Sequence, residues 1–305
     1  MTNQRYLFNN YINIARTFVS EKNLFKALKF YNKAYKLQEG KEDIELILDM
    51  ALLYDKVLRK DMSEEKYREV LELDENEARA YYGLAVLYDE DGFYNEAIEF
   101  YNKAIEKDNK YDRAYFFVAN VYDEIGEKDK AIENYKKVLE LIPNDLWANA
   151  NLACIYDELG NLDYALKYMK RALEISPKHF RILFNMGVFI KKLGNIDEAI
   201  KYYEKSIEEN PNYPYSFLNL SIIYRENEEF KKAIEIITKG IEENKDEGFL
   251  YYNRACFYVN IEKLEEAFYD VLKSIELNEF FYEYMKKDKE LDKIRTLSIY
   301  KEKFI

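Results

Sequence analysis

Apolar residues recur along this chain with helical spacing, in pairs of segments that repeat every 34 residues. Within each period, apolar positions 4, 8 and 11 share one face of a first helix, and positions 20, 24 and 27 share one face of a second. Glycine at position 15 and proline at position 32 are typical of the ends of these two helices. The pattern predicts antiparallel helix pairs that bury their apolar faces by stacking on one another.

Identical residues mark the period. YDE triplets begin at Tyr88, Tyr122 and Tyr156, each just ahead of a glycine. Alanines and prolines recur at the same interval, at Ala97, Ala131, Ala165, Ala199 and Ala233 and at Pro143, Pro177 and Pro211. Because small residues allow helices to approach closely, we expect the aromatic residues at positions 4, 11 and 24, including the tyrosines of the triplets, to fill the core between them.

Eight repeats are predicted, starting near residues 8, 44, 78, 112, 146, 180, 214 and 248, in one domain over residues 1–305. Repeat two has Leu58 and Ser63 where glycine and alanine are expected, so its register depends on Ala51, Tyr54 and Tyr67. Residues 280–305 alternate apolar and charged residues with helical spacing and are predicted to form a helix that caps the stack.

This template closely resembles the tetratricopeptide repeat, which has two antiparallel helices per unit. The resemblance implies an all-α fold, a right-handed α-solenoid superhelix of about eight helix pairs with a C-terminal capping helix. It also implies a concave groove for extended peptides, lined by positions 2, 5, 6, 9, 12 and 13 of the first helices.

Carboxylates occupy positions 12 and 13 in repeats three to five: Asp89, Glu90, Asp123, Glu124, Asp157 and Glu158. Carboxylates in the last turn of a helix oppose its dipole, so helix stability does not explain them. A basic peptide segment would be attracted to them. The alternative is a solvated face, or pairing with lysines of neighbouring repeats.

Position 6 carries asparagine in repeat one, at Asn13, and in four consecutive later repeats, at Asn151, Asn185, Asn219 and Asn253. Since an amide offers both a donor and an acceptor, such a ladder could hold the backbone of an extended peptide. The alternative is that these asparagines make local hydrogen bonds.

Positions 2 and 5 add cationic and aromatic groups. Position 2 carries Arg79, Arg113, Trp147 and Arg181, and position 5 carries Tyr82, Phe116, Phe184 and Tyr252 as a predicted apolar floor. Arginine and aromatic residues are common anchors of interfaces, although each arginine could instead form a weak surface ion pair. The dicarboxylate clamp of chaperone-binding family members is matched only by Asn120, Asn151 and Arg181. Phe116 and Asn185 replace basic residues that the clamp requires, so we do not predict one.

Charge and composition narrow the function further. The chain has 46 basic and 58 acidic residues and a net charge of −12, which disfavours nucleic acid and acidic membrane surfaces as partners. The only histidine is His179, and no glycine-rich phosphate loop is present, so we expect no enzyme activity, cofactor or metal site.

The sequence also bears on where the protein works. Residues 1–20 lack a signal-peptide pattern, and no apolar run reaches a membrane span of about 18 residues. The two cysteines, Cys154 and Cys256, lie three repeats apart. We therefore expect a cytoplasmic protein without disulfides.

These observations favour a non-enzymatic scaffold that binds a basic or mixed-charge peptide segment of a protein partner in its groove. One alternative is a structural homodimer that associates through grooves or end caps. Another is a receptor for a short peptide that acts through a separate effector protein.

Overall fold

The computed structural model describes residues 3–304, which form helices and turns without a strand in that range. Sixteen helices of the described chain follow one another as two per repeat, in repeats numbered one to eight. They are α1 (Asn3–Ser20), α2 (Leu24–Tyr35), α3 (Ile44–Lys56), α4 (Lys60–Leu73), α5 (Ala78–Glu90), α6 (Tyr94–Lys107), α7 (Asp112–Glu124), α8 (Lys128–Leu141), α9 (Leu146–Glu158), α10 (Leu162–Ile175), α11 (Phe180–Lys192), α12 (Ile196–Glu209), α13 (Pro214–Glu226), α14 (Phe230–Glu243), α15 (Gly248–Asn260) and α16 (Leu264–Leu277). A 3₁₀ turn (Gln38–Lys41) joins α2 to α3.

The first helices of repeats two to eight begin at the predicted starts, from Ile44 to Gly248. Helix α1 begins at Asn3, ahead of the predicted start near residue 8. In repeats one to four and six to eight the two helices pack against each other, and most second helices also contact the next first helix. The all-α fold of solenoid type is therefore confirmed.

The chain divides into two compact parts, Met1–Ile155 and Tyr156–Ile305, here called the N-terminal and C-terminal parts. The boundary falls inside α9, so repeat five contributes to both. The two parts are described separately, and the single domain over residues 1–305 stays a prediction.

The core of each part combines alanines with tyrosines of position 24. In repeat three, Ala97, Tyr101 and Ala104 are completely buried, and Tyr135 and Tyr203 are 1% exposed in repeats four and six. The tyrosines of the YDE triplets differ from the prediction, because they are half-buried at the edge of the core. Tyr88 stacks on Phe100, with 5.4 Å between the ring centroids, and its hydroxyl donates to Glu64. A half-buried site keeps the hydroxyl within reach of polar partners.

Position 15 adopts a left-handed backbone in all eight repeats: it is glycine in four repeats and another residue in the other four. Gly92, Gly126, Gly160 and Gly194 have φ between 74° and 82°, and Lys22, Leu58, Glu228 and Glu262 have φ between 58° and 61°. The left-handed residue ends the first helix and redirects the chain into the second. The register predicted for repeat two agrees with the φ of Leu58.

Replacing Leu58 with glycine is expected to raise the free energy of unfolding by about 0.5–1 kcal/mol. A left-handed backbone costs an L-residue about 1–2 kcal/mol, of which the greater freedom of glycine in the unfolded chain offsets about 0.4–1 kcal/mol. Leu58 is 85% exposed, so little packing is lost. The midpoint of urea denaturation measures the change. Gly126→Ala is the matched control at the same position, where an added Cβ meets no atom within 4 Å, and it should lower the midpoint.

The end of the chain differs from the predicted single capping helix. It forms α17 (Phe280–Lys287), a 3₁₀ segment (Lys289–Thr296) and α18 (Ser298–Phe304); Ile305 lies outside the described residues. Helix α17 stops because Asp288 has an extended backbone, with ψ of 113°, and its side chain accepts a hydrogen bond from the N–H of Glu290. This bond starts the 3₁₀ segment.

Candidate interaction face on the first helices

The predicted groove positions of adjacent first helices lie next to one another within each part. The guanidinium of Arg79 binds the carboxylate of Glu45 at 2.7 Å, and both residues are at position 2. The side-chain amide of Asn151, at position 6, donates to Asn120, at position 9 of the preceding repeat, at 3.3 Å. Positions 2, 5, 6, 9, 12 and 13 of the first helices are called the interaction face below.

Asp89, Glu90 and Glu124 form an acidic cluster on this face in the N-terminal part. Burial raises the pKa of Asp89, and the carboxylates of Glu90 and Glu124 raise it further. Burial also raises the pKa of Asp55, with Glu90 again adding to the shift. The hydroxyl of Tyr101 donates to Asp89 at 3.2 Å, whereas Glu124 is exposed and has no ion pair or hydrogen bond within residues 3–304. The cluster therefore holds negative charge that the chain itself only partly neutralises.

Lysines pair with three of the predicted carboxylates, including Glu90 of the cluster. Lys60 contacts Glu90 at 3.2 Å, and Lys128 binds Asp123 at 2.6 Å. In the C-terminal part, Lys192 binds Asp157 at 2.6 Å, and Glu158 is exposed. Pairing with lysines, the alternative interpretation of the stripe, thus accounts for part of it.

Two of the predicted asparagines make local hydrogen bonds. Asn151 donates to the hydroxyl of Tyr135 at 2.9 Å as well as to Asn120, and Tyr135 in turn donates to Asn120. Asn253 donates to the backbone carbonyl of Phe249 at 2.8 Å. Both Oδ1 atoms accept no hydrogen bond from residues 3–304, so each amide keeps an acceptor for a ligand. Two further half-buried asparagines occupy the same position, Asn185 and Asn219.

The position 2 residues lie at the exposed edge of the face. Arg79 is held by Glu77 and Glu45, and these carboxylates raise its pKa. Arg113 is exposed, and Trp147 is 40% exposed. In the C-terminal part, the guanidinium of Arg181 lies 5.7 Å from the ring centroid of Phe180. Among these three arginines, Arg79 is the one that forms ion pairs within the described residues.

Three of the four position 5 aromatics are half-buried, with one side packed on the core. Tyr82 lies 5.1 Å from Tyr111, and Phe116 lies 5.7 Å from Tyr135, between ring centroids. Phe184 packs in the same way on aromatic residues of the C-terminal part. Tyr252 differs: it is 4% exposed, because the segment after α16 covers it. It does not form part of an open floor.

The tyrosine hydroxyls of position 24 also reach the interaction face, which the sequence interpretation missed. Tyr31 donates to Asp49 at 3.0 Å, and burial together with this carboxylate raises the pKa of Tyr31 to about 12. Tyr101 and Tyr135 donate to Asp89 and Asn120 in the same manner. The tyrosines of position 24 were themselves a signal for these contacts, because the hydroxyl of a buried tyrosine needs a polar partner.

Two further features, a metal site and a membrane span, were sought in the part of the chain that the structure describes. No group of three or more His, Cys, Asp or Glu side chains could hold a metal ion among residues 3–304. None of the helices described above is both long and apolar enough to span a membrane.

Four models of the tetratricopeptide repeat match this sequence, over residues 77–144, 148–179, 180–213 and 202–235. Comparison with curated proteins gave no match. Among solved structures, YrrB, described as a TPR protein with an unusual peptide-binding site, is 26% identical with a TM-score of 0.51, over 61% of this chain and 95% of YrrB. A tetratricopeptide repeat protein from Parabacteroides merdae is 21% identical with a TM-score of 0.63, over 80% of this chain and 97% of that one. The PilF protein of Pseudomonas aeruginosa is 18% identical with a TM-score of 0.60, over 74% and 99% of the two chains.

Proposed function

This chain belongs to the tetratricopeptide repeat family of protein-interaction scaffolds, and we propose that it binds an extended, basic or mixed-charge peptide segment of a protein partner. The binding surface is the interaction face, which corresponds to the lining of the family's groove. The protein acts without catalysis in this proposal. It works in the cytoplasm, a compartment that suits Cys154 and Cys256, neither of which forms a disulfide.

The acidic cluster of repeats three and four carries the proposal. Asp89 is half-buried, and its pKa is raised by burial and by the nearby Glu90 and Glu124. A lysine or arginine of a ligand placed among these groups would relieve the repulsion and lower that pKa. A hydrogen bond to the half-buried Asp89 would contribute about 1.5–3 kcal/mol, and contacts with the exposed Glu90 and Glu124 up to about 1 kcal/mol each, which together favour a basic segment.

Neighbouring groups suit the rest of an extended peptide. The free acceptor of Asn151 can take a backbone N–H, and the half-buried rings of Tyr82 and Phe116 offer apolar contact beside the carboxylates. The likeness to YrrB adds support from a protein that is itself described as binding a peptide. Together these groups provide charge, backbone and apolar recognition within one part of the chain.

Reversing the charge of the cluster is expected to weaken the binding of a basic peptide at least tenfold. The variant is Glu90→Lys with Glu124→Lys, and the probe is a fluorescent ten-residue peptide of alternating lysine and alanine, titrated at low salt. A tenfold loss corresponds to about 1.4 kcal/mol, in line with the loss of two exposed carboxylate contacts of up to about 1 kcal/mol each and the repulsion that the two new lysines add.

Glu72→Lys with Glu106→Lys is the matched control, because both residues are exposed on second helices and the net charge changes equally. The control should bind the peptide within twofold of the unaltered chain. Equal losses in the two variants would mean that net charge, and not the interaction face, attracts the peptide. The proposal would then be wrong.

Self-association is a second candidate function, favoured by exposed apolar residues at the turns of the N-terminal part. Phe25 is 78% exposed, Leu58 85% and Phe93 55%, in three successive repeats. A homodimer would bury such residues. Light scattering at micromolar concentration separates the two candidates, since a dimer that Phe25→Ser with Phe93→Ser converts to a monomer supports self-association. A receptor that acts through a separate effector would also use the interaction face, and it is included in the first proposal.

A further inference from the structure

The 3₁₀ segment near the end of the chain lies on the interaction face of repeats seven and eight. The hydroxyl of Tyr252, at position 5, donates to the carboxylate of Asp288 at 2.6 Å. Arg225, at position 12 of repeat seven, binds Glu290 at 2.6 Å. Further along, Lys293 pairs with Glu262 at the turn that follows α15. The segment therefore runs along α15 on the side where a ligand is expected.

The beginning of this region only continues the repeat. Phe281 packs on Tyr252 with 5.2 Å between ring centroids, matching the contacts of Tyr111 with Tyr82 at 5.1 Å and of Tyr213 with Phe184 at 5.3 Å. Helix α17 then ends after 8 residues, whereas α15 has 13. From Asp288 onward the chain leaves the course of a ninth first helix. Capping of the stack accounts for α17, but it does not account for carboxylates that contact face positions.

Two groups on the face, Arg225 and Cys256, lie close to these carboxylates. The Arg225 side chain is 33% exposed, and within residues 3–304 Glu290 is the only carboxylate that pairs with it. Cys256, on α15, is 5% exposed. Burial raises the pKa of its thiol, and the carboxylates of Glu290 and Asp288 add to the shift. Leu291 and Ile294 of the segment are completely buried. A cavity of about 350 Å³ remains between the segment and α15, lined by Arg225, Asn253 and Cys256 among others.

We propose that the face of repeats seven and eight is a binding site for an acidic peptide and that residues 288–294 occupy it as an internal ligand. The ligand pattern is two carboxylates two residues apart, followed by two apolar anchors, as in Asp288, Glu290, Leu291 and Ile294. A partner segment with this pattern competes with the end of the chain. This site goes beyond the basic-peptide site proposed above, because it lies in the C-terminal part and selects the opposite charge.

The geometry of the segment suits displacement. Glu290 retains 46% exposure while bound to Arg225, so water can reach this ion pair. A 3₁₀ helix has weaker hydrogen-bond geometry than an α-helix, so the segment depends on its contacts with the face more than on its own backbone hydrogen bonds. Leu291 and Ile294 supply the apolar burial that keeps the site closed until a ligand offers the same contacts.

Reactivity of the Cys256 thiol tests the proposal in the full chain carrying Cys154→Ser. Glu290→Arg places two cations together and should raise the rate of thiol labelling at least tenfold. Glu283→Arg is the matched control, because Glu283 is exposed on α17, and it should leave the rate within twofold. Arg225→Glu combined with Glu290→Arg restores an ion pair of reversed polarity and should return the rate toward that of the parent chain.

A synthetic peptide of residues 286–297 then probes the opened site. It should bind the Glu290→Arg chain and slow the labelling of Cys256, and a peptide with alanine in place of both carboxylates should do neither. Binding should be lost when Arg225→Glu is introduced. An unchanged labelling rate in Glu290→Arg overturns the internal contact. Faster labelling that the peptide does not slow overturns the ligand site and leaves only a cap.

Discussion

Replacing Asp270 with alanine is expected to lower the free energy of unfolding by about 3–5 kcal/mol, because it leaves an arginine whose side chain is only 15% exposed without its partner. Both carboxylate oxygens of Asp270 accept hydrogen bonds of 2.7 Å from Arg254, whose third nitrogen donates to Thr238 at 3.0 Å. Asp270 is 7% exposed, and burial raises its pKa although Arg254 opposes the shift. The midpoint of urea denaturation measures the loss.

An apolar replacement of the whole pair is the matched control. Position 7 is apolar in the neighbouring repeats, at Met186 and Leu220, and position 23 is Ile236 in repeat seven. Arg254→Leu with Asp270→Ile should therefore recover most of the stability, since no charge remains buried. If the double variant were as unstable as Asp270→Ala, lost packing volume and not an unpaired charge would explain the effect.

The same pair illustrates what the repeat pattern could and could not predict. The period predicted the start of every first helix from Ile44 onward, because each start depends on apolar spacing within one repeat. Arg254 breaks the pattern of its own position, and its partner Asp270 is set by how two helices face each other. Such a cross-helix pair becomes visible only when both helices are placed.

The interaction face, too, could be predicted from the sequence only in part. Which positions lie on the first helices could be predicted, because position within a repeat determines the helical face. Whether Asp157 is free or paired depends on Lys192 one repeat away, and the contact of Asp288 with Tyr252 depends on where α17 ends. Helix propensity does not determine that end, since the side chain of Asp288 caps the following segment. Ion pairing and the course of the chain end therefore required the structure.

Core and face are linked at the tyrosines of position 24, and this link explains why the acidic cluster is tolerated. A buried aromatic ring supports the repeat, while its hydroxyl donates to a polar residue on the interaction face. In repeat three that residue is Asp89. The hydroxyl lowers the pKa of Asp89 and so opposes the effect of burial and of the neighbouring carboxylates.

Replacing Tyr101 with alanine is expected to cost about 3–5 kcal/mol of unfolding free energy, the range for large aromatic residues in a core. Tyr101 is completely buried, with its ring centroid 5.8 Å from that of Tyr82 and 6.4 Å from that of Phe117. Because each repeat is stabilised mainly by its neighbours, the cavity also weakens the contact of repeat three with repeat four. Urea denaturation followed by circular dichroism measures the loss.

Tyr101→Phe separates the ring from the hydroxyl. It keeps the packing and removes one hydrogen bond, so it should cost only about 0.5–1.5 kcal/mol. It should also raise the pKa of Asp89 further, since the donor that favours the charged carboxylate is gone. Binding of the basic probe peptide should then decline at a higher pH as the pH falls, because Asp89 becomes protonated sooner. A Phe variant as unstable as the Ala variant, or with an unchanged pH profile, would show that the hydroxyl and Asp89 are not coupled in this way.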